Sequence, residues 1–175
     1  MKSEAPGAGS PELVPATWQH DRDELMLVRR AVFVIEQGIA ESEEIDEYDP
    51  LCRHVIVRVD GRTVGTGRLA PSGKIGRIAV LPDHRGRGIG HAVVAHLVNQ
   101  ATELGLAQVY LHAQADSVGF YERLGFKVEG PVFDEVGIPH RRMRRGIEPQ
   151  DGIAPGRQRN AEHPHDARGV SGDGG

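Results

Sequence analysis

The sequence predicts a mixed α+β fold, a meander of strands with helices laid against it, and three observations carry that prediction. Short apolar runs bounded by turn residues recur between residues 54 and 143, while two longer stretches space their apolar residues as helices do. The pair Asp60-Gly61 joins two of the runs as a hairpin, because Asp-Gly supplies the positive φ angles that a tight two-residue turn needs. The resulting order is strand, helix, three or four strands, helix, strand, helix, strands, which does not alternate as a doubly wound sheet would.

The chain has 175 residues, of which 38% are hydrophobic and 26% charged, a composition suited to one domain with its own core. Its formal net charge of −4 provides no global basic field to recruit nucleic acid or an acidic membrane surface. No apolar run reaches membrane-spanning length, and no signal-peptide core is evident, so the expected location is the cytoplasm. The lone cysteine, Cys52, excludes an internal disulfide, fits a reducing compartment, and stands outside any nucleophile motif.

Taken in order, residues 1–12 are rich in Pro, Gly, Ser and Ala and read as a tail. Leu13 to Trp18 is the first expected strand. Leu25, Val28, Val32 and Ile35 then recur at helical spacing from Asp23 to about Gln37, with Gly38 as the stop. Residues 40–50 are strongly acidic, and read either as a solvated loop with one helical turn or as the entrance for a cationic amine, with Glu43 and Glu44 as candidate carboxylates. Residues 54–59 and 63–69 form the hairpin, and Pro71-Ser72-Gly73 turns the chain into the next strand, Ile78 to Leu81.

Pro82-Asp83 ends that strand. After it, Ile89, Val93, Leu97, Gln100, Ala101 and Leu104 mark the buried side of a long helix that Gly105 ends. Val109 to Ala113 is a strand, Val118 to Leu124 a short helix, Gly125 to Val128 the start of a strand, and Ile138 to Met143 the last one. The domain is therefore expected over 13–145, with a second tail over 146–175 in which His163 and His165 are too sparse for a metal site. His91 and His96 do not share a helix face, so no metal is expected there either.

The chemistry concentrates at the junction between Ile78-Ala79-Val80 and the long helix, where the chain reads Arg85, Gly86, Arg87, Gly88, Ile89, Gly90. Glycines here let backbone N–H groups converge, and the helix N-terminus adds partial positive charge, which together make a seat for a pyrophosphate. The spacing is neither the dinucleotide fingerprint nor a nucleotide P-loop. This Arg-x-x-Gly-x-Gly run resembles the acyl-CoA loop of the GNAT N-acetyltransferase superfamily. Downstream, Ala113 to Phe126, with Phe120-Tyr121 and Leu124-Gly125-Phe126, resembles the superfamily's second diagnostic segment. The chain is further similar to a bacterial branch with Val-Phe-Val-x-Glu-Gln (Val32 to Gln37), Ala-Gln-Ala (Ala113 to Ala115) and Phe-x-Glu-x-Gly-Ile-Pro-His-x-x-Met (Phe133 to Met143).

The resemblance implies a central twisted, mostly antiparallel sheet of six to seven strands flanked by about four helices, with two strands splayed to form a coenzyme A cleft. It implies acetyl-CoA as co-substrate, its pyrophosphate on the amides of Arg85 to Gly90 with charge added by Arg85 and Arg87. The pantetheine arm would lie beside Ile78, Ala79 and Val80. A backbone N–H near Val80 would stabilise the oxyanion, and Tyr121 would protonate the leaving thiolate. Gln114 stands where the family usually has an asparagine that bonds the cofactor arm. The implied reaction is direct acetyl transfer to a primary amine of a small molecule, with no metal, and the resemblance also allows a homodimer. Read as residues alone, Tyr121 is also a helix-anchoring aromatic. Candidates for the base are Glu43, Glu44, His54, His112 and His140, although a lone histidine is more often a hydrogen-bonded structural residue than a catalyst, and a water chain could replace any of them. Two other functions fit the same motifs: a catalytically silent acyl-CoA-binding or sensory module, and a protein or peptide N-acetyltransferase.

Overall fold

Thr17 ends the first strand and begins the first helix. A computed structural model describes residues 9–149; the expected tails lie largely outside that range, as do His163 and His165. Strand β1 (Glu12–Ala16) passes directly into helix α1 (Trp18–Arg29), because the Thr17 amide donates to the Asp21 carboxylate at 2.8 Å and the Trp18 ring packs with Ala16, Leu25 and Ile56. The helix thus starts five residues before Asp23, where the apolar spacing placed it, since Trp18 is an anchor of the helix rather than the end of the strand.

From Arg30 to Glu36 the same helix continues with π-type hydrogen bonding, for example from the Gln37 amide to the Val32 carbonyl at 3.1 Å. The wider turn shifts the phase of the apolar stripe. Leu25, Val28 and Val32 stay buried, but Ile35, expected on the same stripe, is 74% exposed.

Strands β2 (Arg53–Val59) and β3 (Arg62–Leu69) form the expected hairpin, with φ of 50° at Asp60 and 74° at Gly61. Strand β4 (Ile75–Val80) completes a four-stranded antiparallel sheet in the order β1-β2-β3-β4. The ladder is irregular between Thr66 and Arg68, where two residues of β4, Arg77 and Ile78, stand opposite Gly67; Arg77 takes φ 51°. A second sheet has the order β5-β7-β6, from β5 (Gln108–Gln114), β6 (Lys127–Glu135) and β7 (Ile138–Gly146). Strand β6 begins at Lys127, within the stretch expected to open it, and runs on to Glu135, its outer half pairing with β7 rather than burying a face.

The seven described strands are thus parted into two antiparallel sheets between β4 and β5, the splay of two strands that was expected. β4 and β5 meet in parallel at one bridge, Lys74 with Tyr110, and at one bond from the Tyr110 amide to the Gly73 carbonyl at 3.1 Å. Beyond it they part. Helix α3 (Ile89–Glu103) holds the two sheets together, since Val93, Leu97 and Ala101 share one core with Val55, Leu69 and Ile75 of the first sheet and Val109, Phe126 and Met143 of the second. The helix can approach because β3 offers Gly67, where an added Cβ would lie 2.5 Å from Val93 Cγ1. Two short helices, α2 (Glu41–Glu44) and α4 (Val118–Glu122), flank the gap between β4 and β5. No helix among the described residues is long and apolar enough to cross a membrane.

Candidate active site

The gap has a positive lip. After β4, a single turn of 3-10 helix (Pro82–His84) leads to Gly86 at φ 73° and Gly88 at φ 78°, a left-handed conformation that side chains with a Cβ resist. Gly88 is the N-cap of α3, and its first turn carries no acidic side chain. The opening amides of this 15-residue helix have no acceptor within the helix and point at its positive end. A Cβ at Gly90 would sit 3.4 Å from the Phe120 ring, so α4 abuts the start of α3 and Tyr121 follows immediately.

Arg85 is engaged differently from the expectation of a side chain aimed at phosphate. Its two terminal nitrogens each meet a Glu36 oxygen at 2.7 Å, and its Nε donates to the Val80 carbonyl at 2.9 Å. These bonds tie the loop to the end of the π segment and to the last residue of β4. The Arg85 hydrogen bonds hold the Glu36 carboxyl below its usual range.

Where β4 and β5 part lies a cavity of about 380 Å³. Of the residues expected at the site, Ile78, Gln114, Tyr121, Glu43, Glu44, His112 and His140 line it. Ala79 is buried against Val28 and Val32 instead, and Val80 pairs with Gly65. His54 is placed elsewhere: it is buried on β2, stacks on Trp18, and its Nε2 bonds the Asp49 carbonyl at 2.8 Å.

One wall is ionic. The acidic segment is no solvated loop at Glu44 and Asp49, which are 2% and 0% exposed. Arg29 bonds Glu44 through Nε and Asp49 through Nη1 at 2.7 Å, while Arg68 bonds Asp49 at 2.7 Å and Asp46 at 2.6 Å. Arg77, set by the β4 irregularity, adds contacts of 3.1 Å to Glu44 and 3.3 Å to Asp46. Burial pushes the Asp49 carboxyl up, but the Arg29 and Arg68 guanidinium groups more than offset it and hold it at about 2. At Glu44 burial prevails over Arg77 and Arg29 and the carboxyl rises. Three arginines from distant parts of the chain thus occupy the carboxylates, leaving Glu43 as the exposed one of the expected pair.

The opposite wall comes from β5 and the β6–β7 hairpin. His112 Nδ1 lies 3.2 Å from Glu135 Oε1, and His140 Nε2 lies 3.6 Å from Glu135 Oε2. The Phe133 ring stacks on His140 and meets His112 edge-on. Burial lowers the His112 imidazole against the raising effect of Glu135. Tyr121 closes the inner end, where burial pushes its phenol up to about 12. Gln114 donates to Gln37 Oε1 at 2.8 Å, linking β5 to the end of the π segment. A second, more open depression, lined by Glu129, Gly130, Pro131, Phe133 and Arg142, shares His112 with the cavity and brings no further candidate. No cluster of metal-ligating side chains occurs among the described residues.

Sequence reasoning missed Glu135, Glu36, Lys74 and Arg77. Glu135 and Glu36 do carry a signal, since each is the acidic residue of a motif quoted above; Lys74 and Arg77 carry none before the shape of β4 is known.

A sheet parted between two parallel strands, with a glycine turn feeding a long helix beside the gap, is the architecture of the acyl-CoA N-acyltransferases. Residues 28–146 match the acetyltransferase (GNAT) domain family, and the chain belongs to that family. It is 37% identical over 137 residues to the uncharacterised protein YyaT of Bacillus subtilis (strain 168), covering 75% of this chain and 93% of that protein. Among solved structures, an acyl-CoA N-acyltransferase from Pseudomonas aeruginosa superposes with a TM-score of 0.70 at 30% identity, over 78% of this chain and 100% of the other. Escherichia coli ElaA superposes with a TM-score of 0.70 at 29% identity, over 77% and 99%.

Proposed function

We propose that the protein transfers the acetyl group of acetyl-CoA to a primary amine of a small molecule, by direct attack with both substrates bound. The observation that carries this reading is the edge of β4, left without a strand partner once β5 departs, running from the glycine-capped start of α3 to a cavity closed by Tyr121. Acetyl-CoA supplies the activated thioester.

The residues fit such a ligand. The amides of Arg85 to Gly90 and the end of α3 receive two phosphate groups, with no Cβ at Gly86 or Gly88 to bar their approach. Arg87 adds charge, and Arg85 braces the loop through Glu36. The β4 backbone over Ile78, Ala79 and Val80 offers donors and acceptors to an amide-containing arm, with Gln114 bordering it. An N–H near Val80 stabilises the oxyanion, a contribution of about 3 kcal/mol. Tyr121, whose buried phenol is protonated at neutral pH, gives its proton to the departing sulfur.

The acceptor occupies the polar end of the cavity, among Glu43, Lys74, Arg77, His112 and His140. His112 and His140 line that end of the cavity and supply imidazoles that can take the amine's proton; Glu44 is held by arginines, and His54 lies outside the cavity. A volume of about 380 Å³, part of it required by the thioester arm, favours a small amine over a peptide. The buried thiol of Cys52 fits the cytoplasm. Thiol release from acetyl-CoA in the presence of an amine panel tests the proposal. Turnover on small amines is expected; coenzyme binding with no turnover on any amine or peptide would overturn it in favour of a silent acyl-CoA sensor.

A further inference from the structure

Two histidines from different strands converge on one carboxylate at the acceptor end of the cavity. We infer that Glu135 is a positioning residue for proton transfer: it holds His112 as the Nδ1–H form, so that Nε2 of His112 is the base that receives the acceptor's proton. The inference rests on the acetyltransferase reading for the identity of the reaction, and on the hairpin geometry for everything else.

The geometry determines the tautomers. A carbonyl only accepts, so the 2.7 Å contact between His140 Nδ1 and the Ile138 carbonyl puts a proton on Nδ1 of His140. Its Nε2 lies 3.6 Å from Glu135 Oε2, beyond hydrogen-bond distance, so that contact fixes no second proton and Glu135 is left to His112. An ionised carboxylate also only accepts, so the 3.2 Å contact at Glu135 Oε1 puts the His112 proton on Nδ1 and leaves the lone pair on Nε2. The carboxylate is itself fixed by a tight turn: Val136 and Gly137 have φ of 50° and 76°, and the Gly137 amide donates to Asp134 Oδ1 at 3.0 Å. A β-branched residue at φ 50° is a strained choice, one that persists where the surrounding structure over-determines it, as at functional sites. The turn closes the β6–β7 hairpin with Glu135 as the last residue of β6, 3.2 Å from His112 of β5.

Other charges face His112 as well. Arg142, its register partner on β7, lies over the Tyr110 ring and pairs with Glu129, and Lys74 precedes β4 on the cavity wall; both cations disfavour a protonated His112. Glu135 is the anion that opposes them. In the reaction, the amine nitrogen bonds the acetyl carbon as the carbon–sulfur bond breaks. One proton passes from that nitrogen to His112 Nε2, and the sulfur takes the Tyr121 proton. Glu135 stabilises the imidazolium until solvent returns the proton to Tyr121.

The test is a pH titration of the histidines in the full chain by nitrogen-15 NMR, for wild type and Glu135→Gln. Glutamine keeps a hydrogen-bond acceptor of the same shape but removes the charge, so a merely structural Glu135 would leave the acid limb of the kcat/KM profile in place even where the His112 midpoint moves. The expected wild type is the Nδ1–H tautomer at His112, and in the variant the midpoint falls by about one pH unit. The acid limb of the kcat/KM profile should move down with it, kcat should fall about tenfold, and coenzyme A affinity should not change. An Nε2–H tautomer in wild type, or an unmoved midpoint in the variant, would overturn the inference while leaving acetylation by wild type intact. Failure of wild type to acetylate any amine overturns the activity and the base role together.

Discussion

Arg85 clasps Glu36 through two parallel 2.7 Å contacts, and the same guanidinium bonds the last carbonyl of β4. One side chain therefore fixes the glycine loop relative to both the π segment and the cleft edge. Lysine cannot reproduce that fork. Arg85→Lys should weaken coenzyme A binding several-fold by calorimetry while leaving the melting temperature nearly unchanged, because the pair is exposed and screened. Glu36→Gln should do the same more mildly.

Tyr121 packs edge-on against Phe120 and Phe126, contacts that phenylalanine would keep. Tyr121→Phe should thus fold and bind coenzyme A like wild type. Its turnover should fall about 10²-fold, the size of a lost general acid. Steady-state kinetics beside a binding titration separates the two effects.

Asp49 joins Arg29 and Arg68 in the buried network. Its folded pKa of about 2 lies below the unfolded value of 3.8, so its stabilisation is present above pH 4 and is lost as pH falls toward 2, a contribution of about 2 kcal/mol. Denaturant unfolding between pH 5 and 2 should show that loss in wild type and a flatter profile in Asp49→Asn. At neutral pH the variant should lose about 3 kcal/mol, since two buried arginines are left short of a partner.

Gly67→Ala probes the seam between α3 and β3. The new methyl would lie 2.5 Å from Val93 Cγ1 and 3.0 Å from Leu97 Cδ1, both in a filled core. Such overpacking should cost about 1–3 kcal/mol in urea unfolding. A Gly67→Ala, Val93→Ala double variant should recover part of it.

What could be read from the chain was local in origin. Asp60-Gly61 and the Arg85 to Gly90 loop act through backbone conformation, which a few adjacent residues decide, and both stand where expected. The π segment did not announce itself, because its hydrogen bonds shift by one residue without any change in composition, and Ile35 turned outward as a result. Residues 40–50 read either as a solvated loop or as the entrance for a cationic amine, and neither reading buries a carboxylate; Glu44 and Asp49 are buried because Arg29, Arg68 and Arg77 arrive from three other elements. Glu135 stood in a quoted motif, yet its contact with His112 depends on a turn that strains Val136.

Calorimetric titration of acetyl-CoA into the 175-residue chain, beside Gly88→Val, measures the grip of the glycine-capped helix directly. Saturable binding by wild type, lost in a variant that remains folded, is the predicted result. No heat from well-folded wild type, or equal affinity in both proteins, would contradict it.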